Sequence, residues 1–185
     1  MRIAMVSASN APILVEGERD PVRVRAIGPA DASELERFYA ALSPESRRTR
    51  FLSIGSALSH AQSTTFCTTD HDHREGFVAV VDGGPASLER IVGHLCVEPD
   101  RAYTAEVAIA VADEFQQRGV GRRLMNAGAA WARGEQIARF TATMFASNAP
   151  IHRLLAGLGL PARVRTVGGG LSEITIDLVG RSVAA

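Results

Sequence analysis

The chain has 185 residues, 46% of them hydrophobic and 22% charged, which is the composition of one globular domain able to build a core. Twenty basic residues balance 20 acidic ones, and every basic residue is Arg, so the sequence contains no Lys. That excludes phosphate-loop NTPases, protein kinases and pyridoxal phosphate enzymes, each of which needs a lysine at a fixed place, and the zero net charge argues against a dedicated nucleic-acid binder.

Residues 1–20 mix small, polar and charged residues without a period and read as a loose lead-in, with one domain over 21–180. Val22 to Ile27 alternates apolar residues with Arg, the pattern of a half-buried strand, and Gly28-Pro29 breaks it. Asp31 and Glu34 have capping-box spacing ahead of a helix that carries Leu35, Phe38, Tyr39 and Leu42 on one face. Ser43-Pro44 restarts a second helix, with Ser at the N-cap and Pro in the first turn. Ser59 and Gln62 repeat the capping-box spacing and predict a third.

From Gly76 the period changes to that of strands: 77–81, then 90–98 and 104–111, with a turn at Asp82 to Pro85 and a polar link at Pro99 to Arg101. A helix opens in Gln116 to Gly121, carries Val120, Leu124, Ala127 and Trp131 on one face, and ends at Gly134. A strand over 140–144 precedes a helix with Ile151, Leu154, Leu155 and Leu158, and two strands, 162–167 and 172–178, flank Gly168-Gly169-Gly170. Helices and strands mix without strict βαβ alternation, so the class is α+β, or mixed-sheet α/β.

No apolar run approaches the roughly 18 residues of a membrane span, and Met1 to Ala11 is too weak for a signal peptide, so no membrane partner is expected. Cys67 and Cys96 have neither zinc-ligand spacing nor a disulfide framework, which points to a reducing compartment, the cytoplasm, and to buried core thiols. His71-Asp72-His73 reads as a solvated polar loop, and no metal site is expected. His94 shares a strand face with Cys96 and Glu98, where it is either a structural histidine or part of an acceptor cleft.

The segment Val107 to Leu124 carries the chemistry. A strand runs into Gln116-Gln117-Arg118-Gly119-Val120-Gly121 at a helix start, followed by Arg122-Arg123. Glycines let a ligand approach the backbone, the first-turn N–H groups lack partners, and the helix dipole favours negative charge. Arg118, Arg122 and Arg123 add full charges, so the segment reads as an anion cradle sized for a pyrophosphate without a metal. The bland counterpart is a glycine-rich turn with solvated arginines.

The order strand, Gln-x-x-Gly-x-Gly, helix, strand, Asn-x-Pro, helix resembles the acetyl-CoA signature of the GNAT superfamily of N-acetyltransferases. Here it reads Glu106 to Val111, Gln116 to Gly121, Phe140 to Met144 and Asn148-Ala149-Pro150, and the resemblance spans about residues 22–178. Tyr39 to Arg47, with Leu42-Ser43-Pro44-Glu45-Ser46 inside it, is similar to the GNAT domain of bacterial Pat-type protein-lysine acetyltransferases. The resemblance implies a mixed, mostly antiparallel sheet of about seven strands, splayed between the fourth and fifth. It also implies a pantetheine arm paired with the backbone at Ile109 and Val111. Gln116 heads the motif, and N–H groups from Gln117 through Arg118, Gly119, Val120, Gly121 and Arg122 would hold the pyrophosphate. Asn148 would contact the cofactor arm.

Glu106 is the candidate general base: it stands in an apolar strand, and partial burial there would suit it to accept a proton at physiological pH. An exposed edge-strand Glu is the plain counterpart. Glu98, Asp100, Glu106, Asp113 and Glu114 make the region acidic, which would attract a cationic amine. Many GNAT enzymes carry a Tyr seven residues beyond the Asn to protonate the departing thiolate, and this sequence has Leu155 there. A free thiol, with a pKa of about 8.5, is acidic enough to leave as thiolate unaided. The expected activity is acetyl transfer from acetyl-CoA to a primary amine, with a protein lysine favoured over a small-molecule amine. A non-catalytic acyl-CoA-binding module is the alternative, and a homodimer is compatible with all three.

Overall fold

The structure, a computed structural model, describes residues 22–53, 58–69, 74–83 and 89–179. Its strands are β1 (Arg23–Ala26), β2 (Glu75–Val81), β3 (Arg90–Arg101), β4 (Thr104–Val111), β5 (Arg139–Phe145), β6 (Ala162–Gly168) and β7 (Leu171–Asp177). The helices are α1 (Ala32–Ala41), α2 (Pro44–Phe51), α3 (His60–Cys67), α4 (Val120–Gly134) and α5 (Ala149–Gly157). Among the described residues the seven strands make one sheet in the order β1-β2-β3-β4-β5-β7-β6. The lead-in, the His71-Asp72-His73 run and much of the turn after Asp82 lie outside the described residues.

Period-2 alternation in the central strands gives the sheet two apolar faces, and each is covered by helices. On one face Val92, Leu95, Val97 and Val107 pack under α4, joined by Phe140, Ile174 and Ile176. The approach is close: a Cβ on Gly128 would lie 2.6 Å from Leu95 Cδ2, so α4 sits on β3 where only a hydrogen fits. On the other face Ile27, Leu35, Phe38, Tyr39, Leu42 and Cys67 pack against Val78, Val80, Ile91 and Ala110.

Helix α3 begins with the expected box: Ser59 Oγ accepts from the Gln62 N–H, and the Gln62 side chain accepts from the Ser59 N–H. The box expected at Asp31 takes another form. The Asp31 carboxylate accepts from the Gly28 N–H at 2.8 Å and pairs with both Arg25 Nη atoms, so it ties β1 to α1 and does not pair with Glu34. The buried face of α4 is rotated from the expected one: Val120, Leu124, Met125, Gly128, Ala129 and Ala132 are buried, while Ala127 and Trp131 lie at its margin. The last strands also change order. β7 inserts between β5 and β6, which buries Ser172, Ile174 and Ile176 and leaves β6 exposed along its length.

The feature that positions the site is a parting in the sheet. β4 and β5 are parallel and pair only at Thr104–Arg139, Ala105–Phe140 and Glu106–Thr141. Beyond Glu106 the two strands diverge, as the resemblance implied, and a cleft of about 1020 Å³ opens between them.

Candidate active site

The phase of the β3–β4 ladder decides what β4 offers the cleft. The Ala112 N–H donates to the Val92 carbonyl at 2.9 Å, so even-numbered residues of β4 bond to β3. Val107, Ile109 and Val111 therefore turn their N–H and C=O groups toward the side where β5 has left. The Val111 carbonyl accepts from Gln116 Nε2 at 3.3 Å, which leaves the Val111 N–H and both backbone groups of Ile109 open toward the cleft among the described residues.

At the far end of β4 the chain bends into α4. Gln117 has φ 59° and Gly119, the N-cap, has φ 79°, a left-handed conformation that favours glycine. No side chain caps α4, so its first N–H groups are left for a ligand. Gly121 lines the cleft, and a Cβ there would project to 3.6 Å from Leu154 and 3.7 Å from Ile109 Cδ1, into the gap between α4 and α5. An uncapped helix start beside open backbone on β4 fits a pyrophosphate joined to an extended amide-bearing arm.

The arginines of this segment divide their work. Arg122 lines the cleft, Arg118 lies over the Phe115 ring at 5.4 Å, and Arg123 donates to the Val22 carbonyl at 3.3 Å. Arg118 and the buried Val120 are not part of the cleft lining, whereas Arg153 of α5, which sequence reading missed, is. Asn148 lines the cleft while its Oδ1 accepts from the Ile151 N–H at 3.3 Å and caps α5. The stripe of α5, including Leu154, Leu155 and Leu158, is only half-buried because it walls the cleft.

The opposite wall is α2, and its capping sequence explains how it is held. Ser43 Oγ accepts from the Ser46 N–H, which caps α2. The same Ser43 donates its N–H and its hydroxyl to Asp113, each at 2.9 Å, and the Ser46 hydroxyl donates to Asp113 at 2.7 Å. Burial pushes the Asp113 carboxyl up, but these donors outweigh it and hold it below 3.8. Gln116 Nε2 also donates to Ser46 Oγ at 3.3 Å. At the other end of the cleft Arg48 lies 4.2 Å over the Phe145 ring at the close of β5.

Four of the five acids thought to attract an amine are occupied elsewhere. Glu98 pairs with Arg74 at 3.2 Å, Glu114 with Arg90 at 2.8 Å, Asp100 accepts from Thr104 Oγ1, and Asp113 is held by the serines. Glu106 has no ion pair or hydrogen-bonded side chain among the described residues and lines the cleft at the vertex where β4 and β5 part. It is exposed, so the partial burial expected from its apolar strand is not observed; the parting of the sheet opens its face to solvent. His94 takes the structural alternative: it is fully buried and bonded at 2.9 Å to the Tyr39 hydroxyl, and burial followed by the nearby Arg50 pushes it down to about 3. Cys67 and Cys96 are free and buried, as expected.

The sequence pattern of the acetyltransferase (GNAT) family matches residues 35–160, more than half of the chain, and the chain belongs to that family. It is thus an acetyltransferase. The GNAT domain of S. lividans PAT is similar at 28% identity and a TM-score of 0.74, over 86% of this chain and 96% of that one. The ribosomal-protein-S5-alanine acetyltransferase of Vibrio fischeri shares the fold at 18% identity and a TM-score of 0.66, over 89% and 94% of the two chains. So does yncA of Salmonella typhimurium, solved with its cofactor acetyl-CoA, at 17% identity and a TM-score of 0.64, over 89% and 98%.

Proposed function

We propose that the protein transfers the acetyl group of acetyl-CoA to a primary amine, favouring a protein lysine, with Glu106 as general base. The observation that carries this reading is Glu106 itself, an unpaired carboxylate at the vertex of the cleft among acids that all have partners. N–H groups of residues 117–122 hold the pyrophosphate, Ile109 and Val111 pair with the pantetheine arm, and Asn148 stands beside that arm. The lysine acceptor is supported by the 28% identity to the S. lividans PAT domain and by the Tyr39 to Arg47 segment, which builds the α2 wall. Free, buried thiols at Cys67 and Cys96 support a cytoplasmic location.

The donor supplies an activated thioester. The amine nitrogen must first lose a proton from an ammonium of pKa about 10.4, which passes to Glu106 directly or through a water. The freed lone pair forms the N–C bond, the C–S bond breaks, and the electron pair leaves on sulfur. Leu155 cannot donate a proton, and a thiolate needs none to depart.

Glu106→Gln tests the reading. It keeps the shape of the cleft, so acetyl-CoA binding by calorimetry should be unchanged while kcat/KM for thiol release falls on the order of 10²-fold or more. Equal turnover in variant and wild type would remove Glu106 from the role of base.

A further inference from the structure

Beyond Glu106, the acceptor wall holds one group with no account in the transfer reaction. Helix α2 turns Ser46, Thr49 and Arg50 toward the cleft. Arg50 reaches inward among three rings, with its guanidinium carbon 5.1 Å from the Phe51 centroid, 5.8 Å from Phe66 and 6.0 Å from Tyr39. Its Nη2 donates to Cys96 Sγ at 3.7 Å, a weak acceptor, and its other side-chain partner among the described residues is the neutral Tyr39 hydroxyl. Its Nε is closed off from solvent and has no hydrogen-bond partner among the described residues.

A guanidinium stays charged at every pH the protein meets, and a buried charge without a counter-ion is costly. Its neighbours supply no negative charge. Burial pushes the Tyr39 hydroxyl up to about 12 and the Cys96 thiol up to about 11, so both are neutral. No carboxylate among the described residues pairs with Arg50. The rings offset part of the cost through their π faces and leave Nε without a partner. Arg25, Arg74 and Arg90 each pair with an acid, Asp31, Glu98 and Glu114; Arg50 pairs with none among the described residues, and it lines the cleft.

Its position relative to Glu106 is fixed by the sheet. Cys96 pairs across the ladder with Ala108, and Glu98 with Glu106, on the same face. Arg50, in contact with Cys96, therefore stands on the face of the sheet that carries Glu106, and both line the same cleft.

We propose that Arg50 binds a carboxylate carried by the acceptor, so that the enzyme acts on amines bearing an acidic group several ångströms from the reacting nitrogen. This rests on the acetyl-transfer reading above and specifies its acceptor. The carboxylate belongs either to an acidic residue beside the target lysine or to a small amino acid itself. A guanidinium–carboxylate pair would neutralise the stranded charge.

The experiment is acetyl-CoA thiol release with two matched pairs of acceptors. One pair is a blocked lysine peptide with Glu beside the lysine and the same peptide with Gln; the other is 6-aminohexanoate and its amide. Wild type should favour the carboxylate member of at least one pair by about tenfold or more in kcat/KM, and which pair responds identifies the source. Arg50→Met should abolish that preference, lowering kcat/KM on the carboxylate member more than on the uncharged one. A merely structural arginine would lower both members alike. Turnover without preference in wild type overturns the proposal and leaves acetyl transfer standing, even if Arg50→Met fails to fold. If no acceptor turns over, the transfer reading fails. Calorimetry of the Glu and Gln peptides and of 6-aminohexanoate and its amide then decides the proposal by itself: a carboxylate preference in wild-type binding within either pair supports it, and none in either overturns it.

Discussion

The two walls of the cleft are built from different materials. The donor wall, from Ile109 through the start of α4, presents main-chain N–H and C=O groups released where β5 departs and where no side chain caps the helix. The wall proposed for the acceptor presents side chains, Glu106 from β4 and Arg50 from α2, and the serine–Asp113 clasp joins it to the other. A main-chain site recognises what is common to every turnover, while a side-chain site can be altered one residue at a time without touching the cofactor. The difference separates how the protein binds its donor from how it chooses its acceptor.

Substitutions that damage one wall and spare the other put this division to the test. The largest effect is that of Glu106→Gln, with its hundredfold or greater loss of kcat/KM and unchanged donor binding. Next comes Gly119→Val. A β-branched residue at φ 79° costs about 1–3 kcal/mol and distorts the helix start, so the acetyl-CoA Kd should rise about tenfold while an acceptor peptide binds as before. Loss of both affinities would show that the walls are not independent.

Asp113→Ala cuts the clasp itself. Three donors lose their acceptor at an exposed site, which should lower Tm by about 2–4 °C, the shift for roughly 1 kcal/mol in a chain of this size, and raise KM for both substrates. The pH dependence has a definite sign. The folded state holds the Asp113 carboxyl below 3.8, so its contribution is present above that value and is lost as pH falls through the folded pKa. Acid melting curves of wild type and Asp113→Ala should therefore converge below about pH 4 and stay apart above it. The smallest effect is expected of Leu155→Tyr. If the thiolate leaves unaided, supplying a hydroxyl there changes kcat by less than about threefold.

What the sequence revealed follows the same division. β4 falls at 104–111 and α4 ends at Gly134 as expected, because a strand of alternating small and branched residues and a glycine-opened helix are local patterns. The cradle and Glu106 sit within the same local run. The clasp was not legible, since it joins Ser43 to Asp113 across 70 residues through a serine already assigned to capping and an acid counted among those that would attract an amine. Nothing in the sequence marks out Arg50, and only the burial of its guanidinium among Tyr39, Phe51 and Phe66 separates it from Arg47 and Arg48. The exposure of Glu106 depends on where β5 leaves, which no alternation within β4 records. The inward place of β7 likewise depends on pairing with a strand more than twenty residues away.

The three paired rungs at Thr104, Ala105 and Glu106 make the sheet a pair of jaws with a fulcrum. A fulcrum is the point that moves least when jaws open, and Glu106 stands on it. Widening the mouth between α4 and α5 to take a bulkier acyl chain would swing Ile109 and Gly121 through the largest arcs and leave the carboxylate almost where it was. Donor length and the placement of the base are thus mechanically separate, so this architecture can change the group it transfers without rebuilding the point at which the proton is taken.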